Sequence, residues 1–245
     1  MWLAGTGPPL RRKSSGNVAV RMLDPIAVKR FYDRFGARQD RQAFYEDAAL
    51  DCLFDHADFA AASAVAEYGC GTGRFAERIL TASRATSYVG FDISTTMLDL
   101  AKRRLAAYGP RARSEQLAPG EVTLPLAAGS VDRLVSTYVL DLLPEHQIAA
   151  FLEEAQRVLA QGGRLCLVSL TTGTGLLPGL VAAVWNLAFR LHPATVGGCR
   201  PIHLTPFLDA RVWQVHHQQA LVRWGITSEV VVATLAHRRV PRAGA

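Results

Sequence analysis

Between residues 65 and 73 the chain reads Val65-Ala66-Glu67-Tyr68-Gly69-Cys70-Gly71-Thr72-Gly73, a short apolar run ending in three alternating glycines before a helical pattern begins. Glycines at that spacing let the backbone turn sharply and come within contact of a ligand that a Cβ would exclude. A plain strand-to-helix turn needs one glycine, so three point to a ligand-binding turn. A dinucleotide fingerprint reads as Gly71-x-Gly73-x-x-Ala76 with the pyrophosphate on the helix N-terminus, and it leaves Glu67 and Gly69 unexplained. An acid two residues before the first glycine sits badly beside a pyrophosphate, because like charges repel. It sits well beside an ammonium group, which S-adenosylmethionine carries together with a sulfonium. Asp92 follows Gly73 by 19 residues, at the tip of a second apolar run, where a carboxylate can grip both ribose hydroxyls. That spacing fits any nucleoside ligand, so a nicotinamide-dependent oxidoreductase and a non-catalytic nucleoside-binding protein stay open at this point.

These residues need a sheet to position them. Asp24-Pro25 opens a helix over about 25–35 that Gly36 closes, and a second helical stretch covers roughly 41–57. From residue 64 strands and helices alternate: strand 64–68, helix 73–82, strand 87–92, helix 94–108 stopped by Gly109, and a weak strand at 113–117. Strand 131–138, helix 144–159 closed by Gly162-Gly163, and strand 164–170 follow. Such alternation implies a parallel sheet covered on both faces. After residue 170 come an apolar helix, a loop rich in Gly, Pro and His, and two strand-like runs at 212–222 and 228–235. With no helix between them, the last two predict an antiparallel hairpin.

The 245 residues are 49% apolar and 20% charged, enough for one domain over 23–237 with a sizeable core. The formal net charge of +6 is carried by the ends. Residues 1–22 hold Arg11, Arg12, Lys13 and Arg21 without an acid, and 238–245 add Arg238, Arg239 and Arg242, so both ends read as basic tails. The body between them is near neutral, which argues against the continuous basic face of a nucleic-acid-binding protein. Residues 1–16 lack the apolar core of a signal peptide, and the natural start is either Met1 or Met22. The longest apolar run, 176–189, is interrupted by Pro178 and Gly179, which excludes a membrane span. Cysteines at 52, 70, 166 and 199 form no C-x-x-C and are read as forming no local pair with a histidine, so no metal site is expected and a reducing, cytoplasmic setting is.

Taken in order, Glu67 to Gly73, Val89-Gly90-Phe91-Asp92-Ile93-Ser94 with Met97, Leu124-Pro125-Leu126, Ser130-Val131-Asp132 and Ser136-Thr137-Tyr138-Val139-Leu140 resemble the class I S-adenosylmethionine-dependent methyltransferases. Within them the chain is most similar to the branch that holds the ubiquinone and menaquinone biosynthesis C-methyltransferases, and Phe31-Tyr32-Asp33-Arg34-Phe35 is also like that branch. The resemblance covers about 25–170. It implies an α/β, Rossmann-like, seven-stranded sheet, mostly parallel with an antiparallel last strand, helices on both faces and an N-terminal helical cap over 23–60. It also implies roles. Gly69, Gly71 and Gly73 line the methionine part of the cofactor, Glu67 holds its ammonium directly or through water, and Asp92 binds ribose. Ile93 and Met97 pack on adenine, Tyr32 helps close over the cofactor, and Thr137 and Tyr138 border the transferred methyl. The chain departs from the family at Ala118-Pro119-Gly120-Glu121, where an acid near the adenine amino group is usual and Glu121 is the substitute.

Methyl transfer from a sulfonium is an in-line displacement, and an oxygen or carbon acceptor also calls for a base. Asp141, just past the fourth strand, and His203, in the 198–203 loop, are the candidates; as plain structure they read as a helix cap and a loop residue. The stretch 173–209 is where a substrate lid is expected. Leu177, Leu180, Val181, Val184, Ala188 and Leu191 recur there at helical spacing, either as a core helix or as an apolar lid that could also touch a bilayer surface. The expectation is a methyltransferase acting on a small, apolar acceptor that is quinone-like, aromatic or lipid-like.

Overall fold

A computed structural model describes residues 22–173 and 175–236, without the side chains of Leu176 and Leu177. Apart from Met22, the basic tails expected at the two ends lie outside the described residues, as does the Leu177 side chain. Helix α1 (Pro25–Phe35) starts as its sequence demands: the Asp24 side chain accepts from the Ile26 amide and Pro25 occupies the first turn. Gly36, with φ +51°, ends it and leads into a 3-10 segment over Gly36–Gln42. Helix α2 (Ala43–Ala57) therefore begins two residues later than its pattern suggests. Its C-terminal carbonyls, at Ala57 and Asp58, accept from the buried Arg133 guanidinium at 2.6 and 2.8 Å.

The alternating core follows: β1 (Ala64–Tyr68), α3 (Arg74–Ala82), β2 (Ser87–Asp92), α4 (Thr95–Leu105), β3 (Ala112–Gln116), β4 (Val131–Thr137), α5 (Glu145–Val158) and β5 (Leu159–Thr171). After α6 (Leu176–Leu191), β6 (Trp213–Arg223) and β7 (Ile226–Leu235) close the chain as the expected hairpin. Two boundaries differ from the sequence reading. Helix α4 ends at Leu105 and continues as a 3-10 segment kinked at Gly109, because Pro110 cannot donate to a helical carbonyl. Gly162-Gly163 does not close α5; it lies in the irregular start of β5, opposite a register shift between Val131 and Arg133.

The seven strands run in the order β3-β2-β1-β4-β5-β7-β6. β1 to β5 are parallel, and β7 is antiparallel to both of its neighbours. Its central position explains the unbroken buried run Val230-Val231-Val232-Ala233, which has no solvent face to alternate with. One face of the sheet packs on α5, with Ile148, Phe151 and Trp213 in a shared core; the other packs on α2, α3 and α4 through Leu53, Ile79 and Leu98. Strand order reverses between β1 and β4. At such a switch point the carboxyl ends of the strands diverge and leave a crevice for a ligand. No helix among the described residues is long and apolar enough to cross a membrane.

Candidate active site

The crevice is occupied by a cavity of about 400 Å³, within the range of small-molecule sites. Its floor comes from the strand tips: Gly69 and Gly71 after β1, Asp92 and Ile93 at the end of β2, and Thr137, Tyr138 and Val139 at the end of β4. Its roof comes from Leu23, Asp24, Val28 and Tyr32 of the N-terminal segment, and its mouth includes His146 and Gln147 from the first turn of α5. Among the described residues, none that lines the cavity is a lysine or an arginine. A space with no guanidinium or ammonium to neutralise phosphate, and with carboxylates at Asp24 and Asp92, suits a neutral or cationic ligand better than a diphosphate.

The glycine turn is held open by two devices. Gly69 and Gly71 both have positive φ, +80° and +52°. A Cβ on Gly69 would collide with Val139 Cγ2, so a side chain there requires Val139 to move. The Asp92 carboxylate then pins the turn, accepting from the Gly71 amide at 2.9 Å and from the Ser94 amide at 2.8 Å. Burial pushes its pKa up to about 6, against the lowering effect of these backbone hydrogen bonds. Ser94 is the α4 cap: its hydroxyl accepts from the Met97 amide and donates to Asp33 at 2.7 Å, which ties α1 to the β2 tip.

Of the site residues expected from the sequence, Tyr32, Gly69, Gly71, Asp92, Ile93, Met97 and Thr137 line the cavity together, with Tyr138 beside them. Gly73 does not. It sits at the start of α3 with φ +76°, where a Cβ would meet the Ala101 backbone at 3.1 Å, so its lack of a side chain serves helix packing. Glu67 is set back beneath the turn, with Oε2 accepting from the Tyr88 hydroxyl at 2.5 Å, and it is not in the lining. Burial raises its pKa to about 8. Glu121 turns away: it is exposed, and its carboxylate accepts from the Thr123 amide, while Gly120 takes the position at the cavity wall. The Ala118-Pro119-Gly120 turn, with Gly120 at φ +85°, directs the next side chain outward.

The two candidate bases are also displaced from the cavity. His203 is exposed, and both ring nitrogens are engaged by threonine hydroxyls, Thr171 at 3.1 Å and Thr172 at 2.7 Å. Asp141 is fully buried behind the wall, one oxygen accepting from the Leu170 amide at 3.3 Å and the other without a partner. Burial raises its pKa to about 7, with the Arg200 charge opposing the rise. No described residue of 173–209 lines the cavity. That stretch supports the roof from outside: a Cβ on Gly198 would strike Leu23 at 2.9 Å, and Cys199 Sγ lies 3.8 Å from the Tyr32 hydroxyl. Helix α6 instead turns Leu180, Val184, Leu187 and Leu191 to solvent.

Sequence reasoning missed Gln39, His146 and Gln147 in the lining, and Tyr88 and Asp33 behind it. His146 had a readable signal, since the loop after the fourth strand of a switch-point crevice feeds directly into the first turn of α5. Tyr138 carries a second signal visible only in the structure. It has φ +57°, a conformation costly for a bulky side chain, and its hydroxyl is fixed to Ser228 at 2.8 Å.

Residues 65–163 match a family described as "Methyltransferase domain". The match covers well under half of the chain and makes this part similar to methyltransferase domains. It contains the glycine turn, Asp92 and the β4 tip, and so the floor of the cavity. Among solved structures, the chain is similar to a geranyl diphosphate methyltransferase in complex with geranyl diphosphate and sinefungin, with a TM-score of 0.62 and 14% identity over 85% of this chain and 98% of that one. It is also similar to the YcgJ protein from Bacillus subtilis, with a TM-score of 0.59 and 16% identity over 76% and 97%. A third is NcsB1, an O-methyltransferase from neocarzinostatin biosynthesis in complex with S-adenosylmethionine and 2-hydroxy-5-methyl naphthoic acid, with a TM-score of 0.55 and 19% identity over 73% of this chain and 50% of that one. At these identities the likeness establishes a shared Rossmann-like fold. No curated protein sequence matches the chain.

Proposed function

We propose that the chain is an S-adenosylmethionine-dependent methyltransferase that methylates a small, uncharged, apolar acceptor, either aromatic, quinone-like or lipid-like. The observation that carries this reading is the cavity lining: a glycine turn and a buried carboxylate at the strand tips, apolar walls, and no lysine or arginine among the described residues. A nicotinamide dinucleotide is disfavoured by the same lining; the Asp40 carboxylate at the Thr72 hydroxyl is paired with the Arg104 guanidinium and adds no net charge to the turn. A diphosphate acceptor such as the one held by the geranyl diphosphate enzyme is disfavoured on the same ground.

When bound, S-adenosylmethionine supplies an electrophilic methyl on sulfur. Asp92 keeps lone pairs free for the ribose hydroxyls while holding the turn, and Gly69 and Gly71 let the backbone approach the amino-acid end. Ile93 and Met97 make the apolar seat for the base, and Tyr32 covers it. Thr137 and Tyr138 face the space where an acceptor is positioned. With Asp141 and His203 outside the lining, positioning is the main contribution of the chain; well-oriented reactants gain about 7–11 kcal/mol this way. The loop 197–199 serves as the outer layer of the roof rather than as a lid over the acceptor. The outward stripe on α6 fits peripheral contact with an apolar surface, such as a membrane holding the acceptor.

Incubating the full chain with S-adenosylmethionine and separate pools of phenols, quinones, lipids, sugars and nucleic acid, and measuring S-adenosylhomocysteine, tests the reading. Product formation is expected with an apolar pool alone. Turnover confined to the sugar or nucleic-acid pool contradicts the acceptor class.

The raised acids make a further expectation. At pH 7 the ligand-free Glu67 is largely protonated, and a nearby ammonium favours its ionised form, so cofactor binding expels a proton. Affinity should rise from pH 6 to pH 8, and the calorimetric heat at pH 7 should differ between phosphate and Tris buffers. Equal heats in the two buffers would remove Glu67 from ammonium recognition. The ligand-free protein behaves oppositely. Glu67, Asp141 and Asp92 are all raised above their unfolded values, so the fold favours their neutral forms and loses that stability as pH climbs from about 4 toward 8. Its melting temperature should fall between pH 6 and pH 8, and less so in Glu67→Gln.

A further inference from the structure

Away from the cavity, α2 and β6 bring together a cysteine at the edge of the α2-side core and two histidines that neither the cleft nor the core explains. The sequence reading found no local pairing of a cysteine with a histidine; Cys52 and His56, four residues apart on α2, are such a pair and share one helix face. His217 reaches them from β6. Cys52 Sγ lies 3.2 Å from His217 Nε2 and 3.9 Å from His56 Nδ1, and the three donor atoms are all within 4.8 Å of one another. A tetrahedral zinc ion, with sulfur at about 2.3 Å and nitrogen at about 2.0–2.1 Å, separates its sulfur and nitrogen ligands by about 3.6 Å. The two observed separations bracket that value.

The strand carries a device that aims the third residue. The pairing of β6 with β7 shifts register between Val215 and His217, leaving His216 as an extra residue. Before the shift, Trp213 packs into the core on the α5 face; after it, Leu221 packs into the core on the α2 face. Without the bulge, 213, 217 and 221 would share one face, so the bulge is what turns His217 onto α2.

We propose that Cys52, His56 and His217 form a binding site for one zinc ion that joins α2 to β6. Thiolate and imidazole are the ligands zinc prefers, and three protein ligands leave a fourth position for water or for Gln219 Oε1, 3.4 Å from Cys52 Sγ. Binding requires two local changes. The Cys52 thiol releases its proton to solvent as the sulfur–zinc bond forms. His56 Nδ1, which donates to the Cys52 carbonyl at 2.8 Å, becomes a ligand by transferring its proton to Nε2. The two imidazoles, stacked with centroids 3.6 Å apart, must also turn out of parallel, a motion available to an exposed and a half-buried side chain. The bound ion would cross-link segments 165 residues apart and brace α2, whose Tyr45 packs edge-on against Tyr138 of the cavity.

Titration of the metal-free full chain with Co²⁺, followed by Zn²⁺ competition, tests the site. One equivalent of Co²⁺ should give a thiolate-to-metal charge-transfer band that Zn²⁺ abolishes, and saturating Zn²⁺, but not Mg²⁺, should raise the melting temperature by about 5–10 °C at a hundredfold excess over the dissociation constant. Cys52→Ala should abolish the charge-transfer band; His217→Gln, at a half-buried surface position, serves if that variant does not fold, and should weaken Co²⁺ binding at least tenfold. The other three cysteines lie outside this cluster, so an equal band in wild type and in the folded variants, or no band in wild type, overturns the proposal.

Discussion

Replacing Asp92 by alanine should weaken S-adenosylmethionine binding by about 3 kcal/mol or more, at least a hundredfold, because its proposed role is to accept two charged hydrogen bonds from ribose worth about 1.5–3 kcal/mol each. The carboxylate has a double duty that makes the effect large. It also holds the Gly71 and Ser94 amides, so its removal leaves two backbone donors at the strand tip without their partner. Asp92→Asn separates the two duties. The amide retains an acceptor for the turn and loses the charge, so its melting temperature should stay nearer wild type than that of Asp92→Ala while its affinity stays low. Calorimetric titration of S-adenosylhomocysteine with each variant reads both. Unchanged affinity in either variant would remove Asp92 from cofactor binding.

Gly69→Ala should lose both stability and cofactor affinity. The added methyl collides with Val139 Cγ2, and φ of +80° is unfavourable for any residue with a Cβ. Backbone strain of this kind costs about 1–3 kcal/mol and overpacking a similar amount, so the melting temperature should drop by roughly 5–15 °C. Pairing it with Val139→Ala relieves the collision and leaves the dihedral cost, so the double variant should recover part of the melting temperature. If Gly69→Ala melts like wild type and binds cofactor normally, the turn is not the tight cradle described.

The residues legible from the sequence are those whose role is local. Gly69, Gly71 and Asp92 announce themselves because a strand, a glycine turn and a second strand tip are consecutive in the chain, and strand alternation fixes where they meet. The final hairpin is legible because no helix separates its strands, although β7 taking the inner position between β5 and β6 depends on how that hairpin docks. Glu121 was misplaced because a turn through Pro119 and Gly120 can send the next side chain either way, and only the φ of Gly120 decides. His203 and Asp141 have suitable chemistry, but whether a side chain faces a cavity is settled by packing from Tyr32, Cys199 and Leu170, which are distant in sequence. The Cys52, His56 and His217 cluster was hidden for a related reason. His216 and His217 stand side by side in the chain, and a single bulge determines which of them faces α2.

A crystal structure of the full chain grown with S-adenosylhomocysteine tests the central claim most directly. The expected density places the ribose hydroxyls on the Asp92 carboxylate, the amino-acid end along Gly69 and Gly71, and the base against Ile93 and Met97, with unfilled apolar space toward Thr137 and Tyr138. A crevice that admits no nucleoside, or that holds one with Asp92 facing away from its ribose, would contradict the account.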